Sequence, residues 1–218
     1  MLFKETVAPA TMKIIQLLFN VAELKDFELV GGTALSLQIG HRISIDIDLF
    51  CKNAFDNKQL KECLLENFQD HQLSFDYEAK NTLIGSIDQI KIDFIRHAYP
   101  TIKETKSIEG VRICSLEDIS AMKVSAITDN GTRIKDFVDL YYLLHHFKLA
   151  DVIYFYEQKY KSENSFHALK SITYYSDLDT ESIDNINFLK NKQISFEKLK
   201  AFLSKATEDY LKNNAYLN

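Results

Sequence analysis

Between residues 9 and 24, apolar Met12, Ile15, Leu18, Phe19 and Ala22 recur at helical spacing, with Pro9 where a helix can begin. The spacing predicts an opening amphipathic helix. Phe27, Leu29 and Val30 then form a short apolar run that stops at Gly31-Gly32. Residues 33–39 follow at good helix propensity, closed by Gly40, so the pattern reads as strand, glycine turn and short helix. Ile43, Ile45, Ile47 and Leu49 alternate with Ser44, Asp46 and Asp48, which predicts one strand with its isoleucines in a core and both aspartates on the open face. A helix is expected over 60–68, then strands over Leu73–Ala79 and Thr82–Ile87, and a third where Ile90, Ile92 and Phe94 alternate with Lys91, Asp93 and Ile95. These segments add up to a mostly antiparallel sheet of about four or five strands.

Beyond the run from Val111 to Cys114 the period changes from two to 3.6. Ser115 can cap a helix over 116–128, with Asp118 in the reach-back position of a capping box, and Asp129-Asn130-Gly131 breaks it. Helices are expected over 137–147, 152–160, 166–174 and 196–211, with a long polar loop over 176–187. The expected class is α/β (α+β), a mixed sheet flanked by helices over 1–114 and a helical C-terminal half over 115–218.

Composition narrows the field. With 46% hydrophobic and 26% charged residues the chain is globular and not disordered, and Gly 6 and Pro 2 are too few for a many-stranded sandwich. A formal charge of -5 argues against binding nucleic acid through surplus positive charge, so any polyanion must meet a local patch. Cys51, Cys63 and Cys114 are odd in number and widely spaced, which suggests reduced thiols and neither a disulfide framework nor a zinc site. The N-terminal residues lack the plan of a secretory signal and no stretch approaches ~18 uninterrupted apolar residues, so a cytoplasmic protein without membrane contact is expected.

Two carboxylates at i and i+2 on one strand, Asp46 and Asp48, stand about 7 Å apart at Cα, a spacing at which they can converge on cations that bridge a triphosphate. A third carboxylate on a neighbouring strand in the same phase would complete a two-metal site, and Asp93 is the candidate. An isolated Asp-x-Asp is more often the solvated face of an amphipathic strand. Gly31-Gly32-Thr33 shifts the balance, since bare backbone N–H groups and a hydroxyl at a helix N-terminus can approach phosphate oxygens. His145-His146 has no acidic residue spaced to join it as a metal ligand. Lys190, Lys192, Lys198, Lys200, Lys205 and Lys212 concentrate positive charge toward the C-terminus, as a solvated helix face or a place for an RNA backbone.

Those same residues carry a resemblance. Gly31-Gly32-Thr33-Ala34-Leu35, followed by Arg42-Ile43-Ser44-Ile45-Asp46-Ile47-Asp48-Leu49-Phe50, resembles the glycine and double-aspartate signature of the DNA polymerase β-like nucleotidyltransferases. More narrowly it resembles the AbiEii nucleotidyltransferase toxins, whose partners are AbiEi-type antitoxins in type IV toxin–antitoxin and phage-defence modules. Ser115-Leu116-Glu117-Asp118 leading to Lys123, Ala126 and Gly131, then Arg133-Ile134-Lys135-Asp136-Phe137-Val138-Asp139-Leu140, is similar to that family's lysine helix and its following Lys/Arg-Asp-x-x-Asp-Leu motif. The resemblance covers residues 12–147 and extends loosely to Tyr174-Tyr175-Ser176-Asp177. Asn130 stands where the family often has arginine, and Gly32 where related enzymes often have serine, leaving Thr33 as the available hydroxyl.

The resemblance implies a nucleotidyltransferase-like sheet and a Mg²⁺-dependent enzyme, with two ions, that moves a nucleoside monophosphate from an NTP to an acceptor hydroxyl. The acceptor it implies is a tRNA 3′ end, and the role it implies is that of a toxin with an AbiEi-like antitoxin. Gly31, Gly32 and Thr33 would hold phosphates, with Arg42 and Ser44 beside them. Asp46, Asp48 and Asp93 would bind the metal, with Asp93 also helping to deprotonate the acceptor. Lys123 would reach the triphosphate, while Lys135, Asp136 and Asp139 would shape the nucleotide site or brace Lys123. Each helper has a plainer reading: acidic residues suit a helix's first turn, a lysine can snorkel from an apolar helix, and Arg42 can simply pair with a carboxylate. A small-molecule acceptor, a non-catalytic nucleotide-binding module and a metal-dependent nuclease are the alternatives.

Overall fold

The computed structural model describes residues 1–162 and 165–214. The chain divides into two compact units, the first made of Met1–Tyr99 and Glu104–Ser115, the second of Pro100–Lys103 and the chain from Leu116 onward.

The first unit opens with a 3-10 turn over Lys4–Thr6, followed by α1 (Pro9–Asn20), whose Ile14, Ile15 and Leu18 are buried, and a second 3-10 turn over Ala22–Leu24. Strand β1 (Glu28–Val30) runs directly into α2 (Gly31–Ile39), which ends at Gly40. Then come β2 (Ile47–Cys51), α3 (Asn57–Asn67), β3 (Leu73–Ala79), β4 (Thr82–Ile87), β5 (Ile90–Arg96), β6 (Lys106–Ile108) and β7 (Val111–Ile113). Asp56 caps α3 by accepting from the Gln59 N–H at 2.9 Å. The strands form one seven-stranded sheet in the order β3-β4-β5-β2-β1-β7-β6. It is mixed, because β2 pairs parallel with β5 and β1 parallel with β7.

This sheet corrects two sequence expectations. It has seven strands where four or five were expected, because β6 and β7 are three residues each, too short for a period-two signal. The strand expected over 43–49 begins only at Ile47, and residues 43–46 take the opposite phase: Ile43 and Ile45 are exposed while Arg42 and Ser44 are buried. The reason is local. This segment leaves the sheet to cross the N-terminus of α2, where the Ser44 N–H donates to the Thr6 carbonyl and the inward side chains meet α2. From Ile47 the expected phase holds, with Ile47 and Leu49 buried and Asp48 half-buried.

In the second unit, α4 (Leu116–Asp129) packs against α5 (Ile134–Leu143), α6 (Leu149–Tyr160) and α7 (Ser165–Ile172), while α8 (Phe196–Asn214) packs on α5 and α6. Val124, Phe137, Leu140, Val152, Ile172 and Leu203 are fully buried among these helices. The expected loop over 176–187 carries one 3-10 segment, Thr180–Asn185. Buried Asp118 has a role that its sequence position did not disclose. It accepts from Lys159 Nζ at 2.7 Å and from the Ile102 and Lys103 backbone N–H groups at 3.0 Å, tying Pro100–Lys103 and α6 to α4. No helix among the described residues is long and apolar enough to cross a membrane.

Candidate active site

Parallel pairing of β2 with β5 sets Asp48 directly beside Asp93, with Ile47 beside Ile92 and Leu49 beside Phe94. Residues in direct register on adjacent strands share a face of the sheet, so both carboxylates stand on one side, opposite the buried Ile47 and Leu49. Asp46 is two residues upstream of Asp48, just before β2, and is half-buried. The Lys91 ammonium reports on the convergence. It donates to Asp93 Oδ2 at 2.9 Å, and that bond, reinforced by the fields of Asp93, Asp48 and Asp46, holds its pKa above the ordinary lysine value against the cost of burial. One cation feels all three acids.

The glycine pair fits this arrangement by close approach. Gly31 has φ +69°, and a Cβ built there would overlap Asp48 Oδ2 and stand 3.0 Å from its Cγ. A Cβ at Gly32 would overlap Arg42 Nη2 and lie 3.3 Å from Ser44 Oγ. Thus the Asp48 carboxylate rests on the backbone where β1 turns into α2, and the Arg42 guanidinium lies along the same helix start. Arg42 also donates from Nη1 to the Ile43 carbonyl at 3.2 Å. Thr33, expected to offer its hydroxyl to phosphate, is 1% exposed; the hydroxyl lies 2.9 Å from Ser44 Oγ and donates to the Asp46 main-chain carbonyl. In place of an outward phosphate contact it pins the segment that carries Asp46.

Carboxylate oxygens are the hard donors that Mg²⁺ selects. Asp93 adds a specific sign: its Oδ1 is buried and has no hydrogen-bond partner among the described residues, an acceptor left for something outside the protein. No three acidic, histidine or cysteine side chains among the described residues already stand closed at metal-ligand spacing, and the other oxygen of Asp93 is held by Lys91. The donor set suits a divalent cation, and the protein's own ammonium stands among it.

In the second unit, Lys123 is buried between Asp136 Oδ1 and Asp139 Oδ2, each 2.7 Å from Nζ. This is the bracing arrangement expected of the lysine helix and its Asp-x-x-Asp partner, and the side chain does not snorkel to the surface. Arg133 Nε lies 3.5 Å from Asp136 Oδ2, and Lys135 is exposed. His145 stacks on Phe202 with centroids 5.1 Å apart and takes part in a 2.8 Å contact from Nδ1 to the Tyr141 carbonyl, a packing role. Of the tail lysines, Lys192 and Lys200 lie over the rings of Tyr142 and Tyr175.

Two features of the first unit were missed from sequence. Lys91 was visible as a residue in phase with Asp93, but nothing marked it as the ion partner. Phe50, in phase with Asp48, has its ring centroid 5.2 Å from that of His97, and His97 lies 4.7 Å from Tyr99, both pairs tilted, giving a line of three rings that starts two residues from Asp48. Aromatic residues two or three apart after Asp93 were the available signal.

A family model described as the nucleotidyl transferase AbiEii toxin of type IV toxin–antitoxin systems matches residues 16–213. The chain belongs to the AbiEii nucleotidyltransferase toxin family. It is therefore a nucleotidyltransferase, and its family setting is a toxin–antitoxin pair with an NTP as substrate. An uncharacterized protein of Aquifex aeolicus is 31% identical over 194 residues, spanning 86% of this chain and 89% of that protein. Among solved structures, a candidate nucleotidyltransferase from Helicobacter pylori superposes with TM-score 0.57 at 18% identity, covering 97% of this chain and 99% of the other. JHP933 from Helicobacter pylori gives 0.56 at 18% identity over 97% and 98%. At that identity the two superpositions bear on the fold alone.

Proposed function

We propose that this AbiEii-family protein transfers a nucleoside monophosphate from an NTP to the 3′ hydroxyl of a tRNA in a Mg²⁺-dependent reaction. It would thereby act as a growth-inhibiting toxin restrained by an AbiEi-like antitoxin in phage defence. The observation that carries the chemical part is the register of Asp48 beside Asp93 on one sheet face, with Asp46 two residues away and Gly31 beneath the Asp48 carboxylate.

When bound, Mg²⁺ supplies charge neutralisation for the triphosphate and acidifies the attacking hydroxyl. The protein's residues do the rest. Asp46, Asp48 and Asp93 hold the ions. Asp93 takes the acceptor proton, the freed oxygen bonds to the α-phosphorus, and the α–β phosphoanhydride bond breaks to release pyrophosphate. Backbone N–H groups at the start of α2 receive phosphate oxygens, with Arg42 beside them as a fixed positive charge. The ring line Phe50, His97 and Tyr99 offers a stacking face for a nucleobase, which favours a nucleic-acid end over a small polar acceptor.

The test is intact-mass analysis of total tRNA after incubation with the protein, Mg²⁺ and each NTP in turn. Addition of one or a few nucleotide masses to the 3′ end supports the reading and names the donor. Shortened RNA would indicate a nuclease, and unchanged RNA with pyrophosphate released from the NTP when small hydroxyl compounds are supplied would indicate a small-molecule acceptor.

A further inference from the structure

Within the first unit, the cation nearest the three carboxylates belongs to the protein itself. Lys91 lies two residues before Asp93 on β5, on the same face, and donates to one oxygen of that carboxylate at 2.9 Å while the other oxygen is buried and unmatched among the described residues. Its neighbour in register on β4 is Ser86, so β4 places no second carboxylate directly opposite the ammonium. Its side chain is 53% exposed, against 12% for Asp93. The lysine therefore reaches in from the solvent edge and can leave without opening the core, whereas the aspartate cannot move away.

Asp48 and Asp93 on one sheet face, with Asp46 just before β2, repel each other, and a single cation beside them relieves that repulsion. A dication arriving at the same acids meets two obstacles: one ligand oxygen is already engaged, and a positive charge stands beside it.

We propose that Lys91 is a displaceable internal counter-ion of this site: its ammonium holds Asp93 in the metal-free protein, and a divalent cation binds by exchanging with it. The inference rests on the reading of Asp46, Asp48 and Asp93 as the metal-binding acids. Lys91 is a positioning residue, and it sets how tightly the metal is held. Metal affinity is consequently lower than three carboxylates alone would give, and the acids stay ordered without metal.

The experiment is Mn²⁺ binding without nucleotide, by titration calorimetry and by the loss of the free-ion electron paramagnetic resonance signal. It uses wild type, Lys91→Met and Asp48→Asn. Removing one unit charge beside a dication tightens Mn²⁺ binding in Lys91→Met on the order of tenfold; Asp48→Asn weakens it by at least as much. Lys91→Met also gains more in melting temperature from Mn²⁺ than wild type does. If wild type binds Mn²⁺ through Asp48 but Lys91→Met binds it equally or more weakly, the counter-ion role is overturned and the metal site stands. If neither wild type nor Lys91→Met binds Mn²⁺, the metal reading falls and this inference falls with it.

Discussion

Gly31→Ala separates what the glycine does for the backbone from what it does for the site. At φ +69° an alanine costs about 1 kcal/mol in left-handed strain. The added methyl would also overlap Asp48 Oδ2, so the carboxylate must withdraw by more than about 1 Å to reach ordinary contact distance. A displacement of that size at a reacting centre costs about 10²-fold in rate, or about 2.7 kcal/mol of transition-state stabilisation. Gly110, in the turn between β6 and β7, supplies the control: its φ is +83° and nothing lies within 4 Å of an added Cβ. Both variants are expected to lose about 1 kcal/mol of stability by urea denaturation. Only Gly31→Ala should lose about 10²-fold in pyrophosphate release at saturating NTP and acceptor. Activity in Gly31→Ala within threefold of wild type, or an equal loss in Gly110→Ala, would refute the argument that Asp48 is seated on this glycine.

Other expectations follow from the same contacts. Lys159→Met leaves the buried Asp118 carboxylate without its ion partner and the Pro100 carbonyl without its 3.0 Å donor, and should cost about 3–5 kcal/mol in denaturant unfolding of the second unit. The double variant Lys159→Met/Asp118→Asn should cost less than Lys159→Met alone, because no charge remains buried; a larger loss would contradict this. Burial pushes the Cys51 thiol up to about 11 from 9.0, helped by Asp26 and opposed by Arg96, and burial with Glu23 does the same for Cys63. The unfolded chain therefore gives up these protons first, so stability is full below about pH 9 and falls as pH rises toward 11. Urea midpoints at pH 8 and 10.5 should diverge in wild type and less so in Cys51→Ala/Cys63→Ala, and parallel behaviour would show that the thiols do not matter.

Much of the architecture could be read in the chain where local pattern decided it. Strands β3 and β4 begin and end as their alternation predicts, and α4 stops where Asn130-Gly131 breaks the helical period. Long-range pairing decided the rest. That Asp93 would stand beside Asp48 depends on a parallel register between strands separated by α3, β3 and β4, and no local period encodes it. Nor could the alternation over 43–49 disclose that its first half turns inside out, since that reversal is imposed by Thr33 and Ser44 meeting across the start of α2. Lys123 could be read in the chain as snorkelling, substrate-facing or braced by Asp136 and Asp139, and only the packing of α4 on α5 brings those two carboxylates to either side of it. Lys91 was legible only as a phase, because its charge gains meaning from an acid on its own strand and two on another segment.

The central claim is that Asp46, Asp48 and Asp93 act as one unit, and the direct measurement is the rate of nucleotide transfer in Asp48→Asn, Asp93→Asn and the double variant. Groups that act together fail together: each single variant should lose on the order of 10³-fold or more, and the double should lose little beyond either one. Near wild-type transfer in Asp93→Asn, or losses that multiply in the double variant, would contradict it.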